Sequence, residues 1–289
     1  MSLFYKIGGL TIKTENNYNE NAFHQLSFYE TEPTETPDIT ITVHRDCVNM
    51  QVPEGTTLVA EVNKRHWCHT KDGGFLFYDK VIEYCDEIYN MMVADRDFRN
   101  VDLYLCPASY LKLEKDDPRA YNLMQDILCA AMLVHNGAIV HSSSIAVDNK
   151  GLLFSALSGT GKSTHTGLWL KHVPGTVIVN DDKPIIRFED DIPYLYGAPW
   201  SGKNTIHKNM RVPMKALIFI ERAETCSLTP MNPLDAVWQL LDAVIKPSIP
   251  ELAEKNMDFI CRLVEKVPIY LLRCNISEDA VNVAKEALK

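Results

Sequence analysis

Long hydrophobic runs are missing from this chain. No segment approaches the ~20 apolar residues of a membrane span, and the opening Met-Ser-Leu-Phe-Tyr-Lys lacks the apolar core of a signal peptide. An excess of positive charge is missing too. Lys and Arg total 29 against 38 Asp and Glu, a formal charge of −9, which argues against nucleic acid or an anionic membrane as the main partner. The eight cysteines (Cys47, Cys68, Cys85, Cys106, Cys129, Cys226, Cys261 and Cys274) include no Cys-x-x-Cys pair. Several, such as Cys129 and Cys261, stand in apolar runs and read as reduced core residues of a cytoplasmic protein. His66-Trp67-Cys68-His69 has no second pair at zinc-site spacing and reads as a chance cluster. There is no internal repeat and no low-complexity tract.

What is present suits a globular protein. Of 289 residues, 46% are hydrophobic and 23% charged, enough for one large or two modest domains with a full core. Residues 1–115 read as a strand-rich module: a hairpin around Gly8-Gly9 with Phe4, Ile7, Leu10 and Ile12 inward, an alternating strand over 38–44, a hairpin near Asp72-Gly73-Gly74, and a strand over 101–105 closed by Pro107. No chemical constellation stands out there. A second domain is expected over 116–289. Asp116-Asp117-Pro118 starts a helix over 118–134, apolar at Leu123, Ile127, Leu128, Ala131 and Leu133 and ended by Asn136-Gly137. Strands follow over 138–147, 151–156, 176–179, 184–188, 194–196, 215–220 and 269–273, with helices over 233–245, 250–266 and 277–288.

The informative stretch is Gly151-Leu-Leu-Phe-Ser-Ala-Leu-Ser-Gly-Thr-Gly-Lys-Ser-Thr164. An apolar strand runs into Ser158-Gly159-Thr160-Gly161, and Lys162-Ser163-Thr164 open a helix to about Lys171. This is the build of a phosphate-binding P-loop of the Walker A type. Glycines let backbone N–H groups turn inward, the helix start adds partial positive charge, and Lys162 adds a full one. Ser163 Oγ is placed to ligate the Mg²⁺ (or Mn²⁺) of a nucleotide. The first glycine of the full pattern is replaced by Ala156.

A phosphate cradle needs partners. The strand over 176–179 ends in Asn180-Asp181-Asp182, on the sheet edge where the phosphates lie if it is built beside the loop strand. One carboxylate can hold the metal and the other accept the proton of an attacking hydroxyl. Asp182 is assigned to the metal with Ser163 and Asp181 to the proton, with exchange of the two open. Lys203, in the loop 197–203, is a candidate second phosphate contact, against the alternative of a solvated basic loop. His141, within the strand over 138–147, is a third candidate.

Together, Val140-His-Ser-Ser-Ser-Ile-Ala-Val147, the loop and Val179-Asn-Asp-Asp182 resemble the nucleotide core of HPr kinase/phosphorylase and ATP-dependent phosphoenolpyruvate carboxykinase. Both families carry a histidine one strand before a Ser-Gly-x-Gly-Lys-[Ser/Thr] loop and an Asp-Asp pair on the next strand. Gly197-Ala198-Pro199 is similar to a short segment in HPr kinases. The resemblance implies an α/β (α+β) fold with a mixed-sheet, carboxykinase-like P-loop kinase core, and ATP with Mg²⁺ as cofactors. It implies that Lys162 holds the β/γ-phosphates and that His141 is a metal or phosphate-site residue. The expected activity is ATP-dependent transfer of the γ-phosphoryl group to a hydroxyl of a peptide, protein or small molecule, with a homo-oligomer allowed. The alternatives are a non-catalytic ATP-binding regulatory protein and a small carboxykinase-like lyase. Departures narrow this: the segment after Gly-Ala-Pro reads Trp200-Ser-Gly-Lys-Asn, unlike HPr kinases, and Asn122 stands where carboxykinases carry a ligand lysine.

Overall fold

The computed structural model describes residues 2–16, 24–80, 87–112, 117–157, 159–202 and 205–289. It is a mixed α/β structure with two mixed sheets, and the chain divides into two compact units, 1–134 with 246–254 and 135–245 with 255–289. No described helix is long and apolar enough to cross a membrane.

The first unit holds β1 (Ser2–Ile7), β2 (Leu10–Glu15), α1 (His24–Ser27), β3 (Ile39–His44), β4 (Thr57–Val62), β5 (Arg65–His69), β6 (Phe75–Lys80), β7 (Ile88–Ala94), β8 (Asn100–Leu105) and α2 (Arg119–Val134). The strands form one sheet in the order β1-β2-β3-β8-β7-β6-β5-β4. Gly8 and Gly9 take φ of 58° and 79° and join Ile7 directly to Leu10, the positive-φ pair that a two-residue hairpin requires. Strand alternation then sends Tyr5, Ile7, Leu10 and Ile12 inward. Phe4, expected among them, is only half-buried, because it is one residue out of step with Tyr5 and Ile7. In α2 the expected apolar face is buried, and the Asp117 carboxylate accepts the Arg119 N–H as its cap. Asp116 lies outside the described residues.

The second unit holds β9 (Gly137–Val140), β10 (Ser142–Val147), β11 (Lys150–Ser155), α3 (Lys162–His172), β12 (Val177–Asp182), β13 (Ile185–Glu189), β14 (Ile192–Tyr196), β15 (Arg211–Arg222), β16 (Ser227–Pro230), α4 (Pro233–Ala243), β17 (Val244–Ile245), β18 (Ile269–Cys274) and α6 (Glu278–Ala284), while α5 (Pro250–Lys266) runs from 250–254 of the first unit into it. Its strand order is β12-β10-β11-β15-β14-β13-β9-β17, with β18 and β16 on the other flank of β15. The long β15 joins two halves. Residues 211–213 pair antiparallel with β14, while 214–222 pair parallel with β11 and, further on, β18. Ile145, Leu152, Phe154, Ile178 and Ile218 of the second half meet Trp169 of α3 and Ala280, Val281 and Ala284 of α6 in one core. Burying such apolar side chains, at about 25 cal/mol per Å², is what seats the helix after the phosphate loop.

Three expectations need correction. The strand expected over 138–147 is broken at His141, where the chain leaves one half of the sheet for the other: β9 pairs with β13 and β17, β10 with β11 and β12. The helix expected to reach Ile245 stops at Ala243, since Val244 and Ile245 pair with Val140 and Ile139. Cys261 is exposed although its neighbours are apolar, because it lies on the outer face of α5; Cys129 is buried as expected.

Gly197 sits where two backbones nearly touch. A Cβ there would fall 1.8 Å from the Lys208 carbonyl oxygen and 3.0 Å from that of Val179. Neither is a side chain that can swing away, so Gly197→Ala is expected to lower stability by about 2 kcal/mol or more, read as a drop in the urea midpoint at unchanged slope.

Candidate functional site

The loop after β11 turns on Gly159 (φ 79°) and Gly161 (φ 123°), the latter the residue before α3. Both conformations disfavour any side chain. At Lys162 the helix begins. Its stem is buried and its ammonium donates to the Ala156 carbonyl at 3.0 Å and to His141 Nε2 at 3.2 Å. The His141 ring in turn offers Nδ1 to Asp182 Oδ1 at 3.0 Å, and Lys183 Nζ meets Asp182 Oδ2 at 3.1 Å. The carboxylate accepts and the ammonium donates. The histidine therefore carries its proton on Nδ1 and turns the Nε2 lone pair toward Lys162.

The topology explains the meeting. β11 and β12 are both antiparallel to β10 and so run the same way, which brings the end of β12 to the edge where the phosphate loop begins. His141 stands at that edge too, between β9 and β10. Its N–H donates to the Ala243 carbonyl at 2.8 Å and its own carbonyl accepts from Ser155 Oγ at 3.3 Å. Asp181 is across from Ser143 in the β10–β12 register, hence on the same face. Ser143 Oγ meets Thr166 Oγ1 of α3 at 3.0 Å. Asp181 thus faces the helix that follows the loop. It is buried, and its carboxylate accepts no hydrogen bond from a described residue. Asn180 fixes the strand end: its Nδ2 donates to Ala198 and Trp200 carbonyls at 2.8 and 3.1 Å, and its Oδ1 accepts the Lys183 N–H at 2.7 Å. That is the role of the Gly-Ala-Pro segment here.

The charges follow from this arrangement. Asp182 is held down to about 2, first by the hydrogen bond from His141 and then by Lys183. Burial pushes Lys162 below its ordinary value, while Asp182 and Asp181 oppose that shift. Asp182 also adopts φ of 155°, a backbone region that costs a non-glycine residue roughly 1–3 kcal/mol.

Of the other residues named from sequence, Ser163 and Thr164 are exposed on the first turn of α3, and Gly159, Thr160 and Gly161 form the loop. Ser158 and Lys203 lie outside the described residues. Arg222 carried no signal in the sequence. At the end of β15 its guanidinium donates to the carbonyls of Thr160, at 3.0 Å, and Gly159. With the Thr160 carbonyl turned toward Arg222, the following Gly161 N–H faces the other way, as an anion cradle needs, while the Thr160 N–H donates to the Leu157 carbonyl at 3.2 Å.

Two clefts flank the loop. One of about 650 Å³ lies between it and β15, α3 and the turn after β18, lined by apolar Leu168, Ile220 and Ile276 with Asn275 and Glu224. The other, of about 560 Å³, runs from Ala156 and Leu157 past Phe219 to Gln239 of α4. No group of three His, Cys, Asp or Glu side chains among the described residues could hold a metal. Mg²⁺ needs no such group, being bound through one or two protein ligands plus phosphates and water. Asp181, which accepts no side-chain hydrogen bond from a described residue, the exposed Ser163 and Asp182 fit that donor set.

Among solved structures the chain has distant likenesses. The solved structure of the HPr(Ser) kinase/phosphatase from Coxiella burnetii aligns at 14% identity over 51% of this chain and 94% of that one, with a TM-score of 0.31. No family model and no curated protein matches the chain.

His165 gives the unit a pH signature. Its Nε2 accepts from Trp169 Nε1 at 3.1 Å, Nδ1 has no partner, and burial lowers its pKa from 6.5 to about 4. Unfolded chains bind this proton below about 6.5 and the fold resists it until about 4. Stability is therefore full above the first value and declines by about 3 kcal/mol on the way to the second. His165→Gln is expected to flatten that decline in urea unfolding between these limits. Loss at still lower pH includes Asp182, whose stabilisation fades as pH falls from its ordinary 3.8 toward about 2, along with Asp117, which despite its burial is also held below its ordinary value by Arg119.

Proposed function

We propose that this chain is an ATP-dependent phosphotransferase with a carboxykinase-like P-loop core, resembling HPr kinase, that moves the γ-phosphoryl group to a hydroxyl. The observation that carries this reading is the convergence of the loop lysine on His141 and Asp182, with Asp181 buried close by. Lys162 and the loop amides would hold the β/γ-phosphates, and the nucleoside would lie in the larger cleft beside Leu168 and Ile276. Mg²⁺, held by Ser163 and one of the two carboxylates, would neutralise charge on the bridging phosphate oxygens.

The division of labour between the acids follows from their surroundings. Asp182 is bound by His141 and Lys183 and held near 2, so it accepts a proton poorly and suits a permanent negative charge. Asp181, which accepts no side-chain hydrogen bond from a described residue, is left to take the role of base. The acceptor oxygen attacks the γ-phosphorus as its proton passes to Asp181, and the bond to the β-phosphate oxygen breaks to release ADP. His141 keeps Asp182 oriented on one side. On the other it takes a hydrogen bond from Lys162 until phosphate replaces it.

Two substitutions test the assignment. Lys162→Ala is expected to abolish tight ATP binding in calorimetry. Asp181→Asn is expected to keep ATP affinity within about twofold while turnover falls ~10²–10⁴-fold. A turnover rate unchanged by Asp181→Asn would remove that residue from the role, and a wild-type protein that binds ATP but never transfers phosphate would leave the regulatory reading in its place.

A further inference from the structure

The smaller cleft leads away from the phosphate loop to α4, and α4 presents an unusual face. Asn232 caps the helix through its side chain, which accepts the Leu234 N–H at 2.9 Å, and Pro233 opens the first turn. Both are strong helix-start signals. At the other end the Ala243 carbonyl accepts from His141 N–H. The helix is thus tied to the site, and Gln239 lines the cleft with Ala156 and Leu157.

On the solvent side, Leu234 is 71% exposed and Trp238 69% exposed, one turn apart. Asp235 and Asp242, three residues before Trp238 and four after it, are exposed on the same face. Neither carboxylate is paired with a cation among the described residues. Leu157 of the loop, 79% exposed, adds apolar surface at the near end of the cleft. The other tryptophans, Trp67, Trp169 and Trp200, are all buried.

We propose that this face of α4 docks the phosphoacceptor, and that the acceptor is a basic peptide segment. The inference rests on the phosphotransfer reading above and names the substrate class for that site. An indole between two unpaired carboxylates suits a lysine or arginine side chain, which gains both ion pairing and contact with the ring face. Leu234 takes an adjacent apolar side chain. The two neighbouring sites, the indole with its carboxylates and the apolar Leu234, favour a peptide with adjacent side chains over a small cationic alcohol. Trp238 precedes Ala243 by five residues, about 7.5 Å along a helix, which the acceptor spans to reach the Lys162–His141 end of the loop. In an extended peptide that calls for about two to four residues between the basic side chain and the phosphorylated serine.

The test uses Trp238 as its own reporter, because acrylamide quenches an exposed indole far faster than the three buried ones. The probes are a peptide with one serine, one leucine and two arginines, the same peptide with glutamates for arginines, and free arginine amide. The basic peptide is expected to shield Trp238 from acrylamide with or without ATP, and the acidic peptide to leave it quenched. Phosphate transfer to the basic peptide should show KM raised about tenfold by Trp238→Ala, with kcat and ATP affinity unchanged. Asp235→Lys with Asp242→Lys should reverse the preference toward the acidic peptide. Equal shielding by both peptides, shielding by arginine amide at the same concentration as by peptide, or no shielding at all would each overturn the proposal. Shielding by the basic peptide without any transfer would uphold the docking surface and count against the phosphotransfer reading instead.

Discussion

Lys162 holds together parts of the chain that have no local reason to meet. Its ammonium joins the carbonyl of Ala156, at the start of its own loop, to the ring of His141, and through that ring to Asp182. A partly buried ammonium is costly unless its donors find acceptors and negative charge lies near. Here both conditions come from the ends of three different strands. The loop is held from its other side by Arg222, which takes the outward carbonyls. The loop is thereby held in shape from both sides, as the preorganised site of the proposed transfer requires.

The sheet makes this arrangement by crossing over. The chain passes between the two halves of the second unit's sheet at His141 and again just after Asp182. At a crossing, a strand's alternation is interrupted and its end is free to present side chains to the edge rather than to a face. The Asn180 amide, bonded to the Gly-Ala-Pro segment, and the pairing of Val244 and Ile245 with β9 pin those crossings. The same pairing ends α4 beside His141, so that one short stretch both holds the His141 backbone and carries the surface proposed to receive the acceptor.

Much of the architecture was legible locally. Gly8-Gly9, the alternation over 38–44, the cap before α2 and the loop glycines each state a backbone requirement that few other residues meet, and each is answered in the structure. The misreadings share one cause. Phe4, the unbroken strand through His141, and the last two residues expected in α4 were judged by apolar content, and apolar content does not report register or a change of sheet. Arg222 was invisible because its contact with the loop spans more than sixty residues and depends on parallel pairing of β11 with β15.

What the sequence determined by itself is the glycine turn and the lysine that opens the helix after it. Gly159, Gly161, Lys162 and Ser163 can form an anion cradle because φ preferences and side-chain charge are properties of the residues and their spacing. Tertiary structure decided the remainder. Which acid lies bonded to a histidine and which lies buried across from Ser143, and which helix carries an exposed indole beside the cleft, depend on strand order and on where strands end. Those are set by the packing of the whole unit, and no window of sequence contains them.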